Sequence, residues 1–176
     1  MPVDRRAPAG AERMQKALSW FTNTHWVVAS LVVLFLSYGV VVLLDALAPQ
    51  SFSASRASSG SPLFLSSGLL GKLIIGSVVA PLLETAFTQW APIQLVRYIL
   101  KWNPNLAALV SACTFGGLHY YSLDYVIWTF LVGLVFAYAY VLRGEHGGHP
   151  FAVVFTAHSL RNLIASVVVT LWPNVV

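Results

Sequence analysis

Glu84, His119, His158 and Asn162 are the residues of this chain best equipped for chemistry, and each lies within or at the end of a long apolar stretch. They belong to three short patterns, Glu84-Thr85-x-x-x-Gln89, Phe115-x-x-x-His119 and His158-x-x-x-Asn162. A carboxylate or imidazole surrounded by hydrocarbon is strongly disfavoured unless it finds a partner or water, so such a residue is a functional candidate by default. An acid, two imidazoles and a carboxamide are the inventory for activating a water and holding an oxyanion. They point to an enzyme buried in a membrane.

Each residue also has a plainer reading. Glu84 is the only acid well inside an apolar stretch, since Asp45 and Asp124 fall at stretch ends. It is either a general base or the partner of Arg161 in an ion pair that ties two helices together. Thr85 and Gln89 are four residues apart, on one helix face and able to share a hydrogen bond, a pairing that alone reads as helix glue. His119 alone reads as an interfacial or packing residue, and Phe115, one turn earlier, as cavity wall. His158 and Asn162 are one turn apart, and in a dry site both can donate to a developing oxyanion. Glu84, His119 and His158 would alternatively suffice to hold zinc with one position open for water. Glu145-His146-Gly147-Gly148-His149 is not His-Glu-x-x-His, and its glycines argue against a helix, so it reads as a solvated loop.

Composition sets the elements that must position these groups. The 176 residues are 57% hydrophobic and only 9% charged, against about a quarter charged in soluble domains. An all-α integral membrane bundle of about five to six transmembrane helices follows. Residues 1–24 form a polar, basic segment, and residues 25–176 a single membrane domain. The apolar runs are Trp26 to Leu47, Leu63 to about Tyr98, Leu106 to Tyr121, Tyr125 to Leu142 and Phe151 to Trp172. The first is too long for a signal h-region and reads as a retained anchor. The second is too long for one straight helix, and Pro81 and Pro92 are expected to break or kink it. The Ser-rich stretch from Pro49 to Pro62 reads as a flexible loop. Cys113, the single cysteine, reads as a small core residue.

Charge is used for orientation rather than for binding nucleic acid. Arg5, Arg6, Arg13, Lys16, Arg97, Lys101 and Arg143 fall on one side of the spans, against Arg56 and Lys72 on the other. The positive-inside rule then puts the N-terminus in the cytoplasm.

The three motifs, in this order and spacing, resemble the CPBP family of type II CAAX prenyl proteases and bacteriocin-processing proteins, also called the abortive-infection family. Its pattern is Glu-Glu-x-x-x-Arg, Phe-x-x-x-His and His-x-x-x-Asn on successive helices, and the resemblance covers roughly residues 72–169. It implies an intramembrane endopeptidase of a prokaryotic cell (inner) membrane, acting on a peptide or membrane-protein tail. Glu84 and a histidine would activate water, while the other histidine and Asn162 would hold the oxyanion. No cofactor is implied, with zinc on Glu84, His119 and His158 the alternative. The second and third motifs are intact, but the first has exchanged its second acid and its arginine for Thr85 and Gln89. Replacing both members of an ion pair avoids stranding one buried charge, which costs about 3–5 kcal/mol. It also sets this chain apart from a standard CAAX substrate preference. A non-catalytic immunity or scaffolding protein that kept the fold is the competing reading, and retention of all four polar residues speaks against it.

Overall fold

The computed structural model describes residues 9–47 and 68–172, and these form six helices with no strand among them. They are α1 (Ala9–Asn23), α2 (Trp26–Leu47), α3 (Leu69–Ile99), α4 (Pro104–Gly117), α5 (Leu123–Glu145) and α6 (Pro150–Leu171). Four of them, α2, α3, α5 and α6, are long and apolar enough to cross a membrane. α4 has 14 residues and rises about 21 Å at 1.5 Å per residue, short of the roughly 30 Å hydrocarbon core. The stretch read as a third span is therefore a shorter helix that ends at Gly117, before His119. The loop from Pro49 to Pro62 lies outside the described residues.

α2 follows its sequence reading residue for residue. Its buried face is Ala29, Ser30, Val33, Leu34, Ser37 and Val41, a three-to-four-residue repeat, while Phe35, Leu36, Val42 and Leu43 are exposed. Such outward apolar side chains suit lipid, where only inward faces need protein partners.

Pro81 and Pro92 do not break α3. It runs unbroken through wide, five-residue hydrogen-bonded turns at Lys72–Val79, Thr85–Trp90 and Leu95–Ile99. Each proline stands second in the short α-helical piece that follows such a segment. Widening the turn relieves the clash that a proline ring makes with the preceding turn. Thr88 O, four residues before Pro92, accepts the Ser111 hydroxyl from α4 at 2.7 Å.

The ends are defined by side chains. Asn103 Oδ1 accepts from Leu106 N–H at the start of α4, with Pro104 in the first turn. Ser122 caps α5 through Tyr125 N–H. Both are standard N-caps that satisfy a helix-end donor. α4 and α5 pack closely through glycine: Gly116 lies against Phe130 and Gly133 against Phe115, the small-residue contact that membrane helices favour. α6 packs against α2, α3 and α5, so the helix carrying His158 and Asn162 is central.

Two features add to the sequence reading, and a third, at Cys113, corrects it. Residues 9–23 of the basic N-terminal segment are a helix, α1. Arg143 does not merely mark a membrane side. It is buried and donates to Gly148 O and to the carbonyls of Phe21, Thr22 and Thr24, satisfying the C-terminal end of α1. Cys113 is exposed, because the buried stripe of α4 is Ala107, Ala108, Ser111, Ala112, Phe115 and Gly116, which leaves Cys113 on the outer face.

Candidate active site

Glu84 ends the α-helical piece between two wide turns of α3, and its carboxylate meets both histidines. Glu84 Oε2 is 3.4 Å from His158 Nε2 and 3.8 Å from His119 Nε2. The Glu84 side chain keeps 28% exposure, while His158 keeps 3%. The ion pair of Glu84 with Arg161 that the sequence allowed is not made. Arg161 instead donates to Ser37 on α2.

His119 is held from the end of α4. Its Nδ1 lies 2.7 Å from Phe115 O. A carbonyl oxygen only accepts, so Nδ1 carries the proton, and in the neutral ring Nε2 is left with a lone pair toward Glu84. Phe115 is the hub of the ring contacts, with centroids 4.7 Å from His119, 5.4 Å from His158 and 5.9 Å from Phe136. Phe136 also faces His158 at 5.2 Å. Two phenyl rings thus keep water from His158, whose Nδ1 is buried with no hydrogen-bond partner among the described residues.

Asn162 lies one turn beyond His158 on α6, and its amide donates to Gly76 O on α3 at 2.9 Å. The reason is a missing backbone donor. Ala80 N–H bonds Ile75 O, five residues back. The next carbonyl in that ladder, Gly76 O, would need an N–H from position 81, which is proline. Asn162 supplies it. A carboxamide has two N–H donors, so one remains for other use. Ser166, one turn further on, accompanies this seam, contacting Ser77 Oγ at 3.2 Å.

Thr85 and Gln89 are fully buried, but the hydrogen bond expected between them is absent. Thr85 Oγ1 and both amide atoms of Gln89 have no partner among the described residues. The wide turn from Thr85 to Trp90 removes the α-helical spacing on which that expectation rested. Glu145 ends α5 rather than opening a loop and pairs with Arg97, and His146 just beyond it donates to Leu142 O. Among the described residues, no group of three or more His, Cys, Asp or Glu side chains is arranged as a metal site.

Residues that the motifs did not announce also border the site. Tyr125 sets its ring 5.6 Å from His119, and Phe136 closes over His158. Tyr125 shows in the sequence only as the start of an apolar run, and Phe136 carries no local signal because its partners are on other helices.

No curated protein and no solved structure matches the chain. The family model described as type II CAAX prenyl endopeptidase Rce1-like matches residues 66–164. That stretch exceeds half of the chain and contains α3, α4, α5 and the side chains of Glu84, His119, His158 and Asn162. The chain accordingly belongs to the type II CAAX prenyl endopeptidase Rce1-like family, a family of membrane proteases.

Proposed function

We propose that this protein is an intramembrane endopeptidase that cuts a peptide or membrane-protein tail with a water activated by Glu84. The observation that carries this proposal is one carboxylate oxygen facing two imidazole Nε2 atoms in a largely buried setting. The 3.8 Å between Glu84 and His119 is too long for a direct hydrogen bond and suits a water that contacts both. His119, with its proton fixed on Nδ1, accepts from that water, and Glu84 takes the proton as the oxygen attacks the scissile carbonyl.

The oxyanion that forms takes hydrogen bonds from neutral His158 through Nε2–H and from the second N–H of Asn162. Dry surroundings make such donors effective. Collapse breaks the C–N bond, and Glu84 returns its proton to the leaving amine. Thr85 and Gln89, buried on the helix that carries Glu84, are proposed to support that carboxylate rather than to touch the substrate. No metal is assigned. Asparagine is a poor zinc ligand, whereas a His-Asn pair one turn apart suits an oxyanion hole.

We propose a prokaryotic cell (inner) membrane as its site, with α1 on the cytoplasmic side, a reading that Arg13 and Lys16 on that helix support. The test is cleavage by wild-type protein in proteoliposomes, using tail peptides with and without a prenylated cysteine and mass spectrometry of the products. A single internal cut is expected. Intact peptides throughout would overturn the proposal.

A further inference from the structure

The proposed reaction gives Arg161 no task, yet its surroundings are built. Arg161 is only 7% exposed. Its guanidinium carbon lies over the rings of Tyr38, 4.4 Å from the ring centroid, and Trp128, 4.8 Å away. One edge donates to Ser37 Oγ at 3.0 Å. A guanidinium has five N–H donors in a planar fork, and with one of them on Ser37 others remain for an acceptor. No Asp or Glu among the described residues pairs with it. A buried cation without a counter-ion is an uncompensated charge. Trp128 Nε1, in the ring stacked on it, is a second buried donor with no acceptor among the described residues.

This stack is continuous with the active site. Arg161 follows His158 by one turn and directly precedes Asn162. Rings lead from His119 to Tyr125 at 5.6 Å and from Tyr125 to Trp128 at 5.5 Å, with the guanidinium 4.8 Å beyond. These steps need not lie on one line, so a chain advancing about 3.3–3.6 Å per residue covers the route along this aromatic wall in at most about four or five residues.

We infer that Arg161, with the indole N–H of Trp128, is the subsite for the free α-carboxylate of the substrate tail, the preceding apolar side chains lying along Tyr125 and Trp128. The assignment rests on the endopeptidase proposal for its substrate. It adds what that proposal lacks, a residue that measures the distance from the scissile bond to the chain end. The planar fork matches a carboxylate in bidentate fashion, which a lysine would not.

The test uses one farnesylated peptide ending in Cys-Val-Val-Met, made with a free carboxylate and as the amide. Wild-type protein should show a KM about 10–100-fold lower for the acid, the usual weight of a charge-assisted hydrogen bond. Arg161→Gln should bring that ratio to within about threefold of one, and Arg161→Lys should leave an intermediate ratio. Both peptides meet the same sample, so partial misfolding cancels from the ratio. Should Arg161→Gln fail to fold, Trp128→Phe keeps the ring, removes the donor and should still lower the ratio. Binding of the two peptides to Glu84→Gln protein reads the same ratio without turnover, so failure of hydrolysis and failure of the subsite are told apart. Equal affinity of wild type for acid and amide, or a ratio untouched in Arg161→Gln, would overturn the assignment. Displacement of neither peptide form by the other, but of both by anionic lipid, would also overturn it and give the guanidinium to a lipid phosphate.

Discussion

Pro81→Ala should make the protein at least as stable and yet less active. The substitution returns a backbone N–H to position 81, which in the five-residue ladder of Lys72–Val79 is aimed at Gly76 O. That carbonyl is now held by Asn162 at 2.9 Å. A net hydrogen bond contributes about 0.5–1.5 kcal/mol, so α3 gains roughly what Asn162 loses, and the removal of proline from a helix adds to the gain. Asn162, without its anchor, spreads over rotamers. A bias of about 1 kcal/mol corresponds to about a fivefold population change. The kcat should fall about 5–10-fold, well below the loss for deleting the carboxamide. Thermal unfolding in detergent and peptide turnover are the two readouts, with Asn162→Ala on both backgrounds. The two changes share one interaction, so their effects should not add. An unchanged kcat in stably folded Pro81→Ala protein, or additivity in the cycle, would refute the assignment of Asn162 to the carbonyl that Pro81 leaves open.

Asn162→Ala itself should lower kcat by about 10²–10³-fold, the usual loss of one oxyanion donor, as read from initial rates. Gly116→Ala should destabilise by about 1–3 kcal/mol, because its Cβ would meet Phe130 Cβ at 2.9 Å, whereas Gly117→Ala next to it meets nothing within 4 Å and should be neutral or stabilising; chemical unfolding of the pair compares them. Arg143→Met should free the C-terminal end of α1 by stranding the carbonyls of Phe21, Thr22 and Thr24, and faster protease nicking after α1 would report it. Metal analysis of active purified protein should find no stoichiometric zinc and no loss of activity to chelator; zinc that restores chelated protein would instead make Glu84, His119 and His158 its ligands.

What could be read from the sequence was what local spacing determines. α2 was legible to the residue because a run of Val and Leu without proline, repeating every three to four residues, admits one helix. The encounter of Glu84 with two histidines was legible because polar groups in lipid must turn inward and few others were present to meet them. What escaped depends on partners far along the chain. α1 has little apolar content, and its C-terminal carbonyls are satisfied by Arg143 on α5. The orphan carbonyl at Gly76 follows from proline in a wide turn, and wide turns leave no pattern in the residues before Pro81. Thr85 and Gln89 were misjudged for the same reason, since α-helical spacing was assumed where α3 does not keep it. Pairing with Arg161 was one of two open roles for Glu84, and the actual partners of Arg161, Ser37, Tyr38 and Trp128, lie on helices that local spacing does not connect to it.

The central claim is that Glu84 activates the attacking water, and turnover by purified Glu84→Gln protein tests it most directly. The change keeps the shape of the side chain and removes only its capacity as a base. Cleavage of the tail peptide should drop to background while unfolding temperature and helical content stay near those of wild type. Undiminished cleavage by well-folded Glu84→Gln protein would contradict the account.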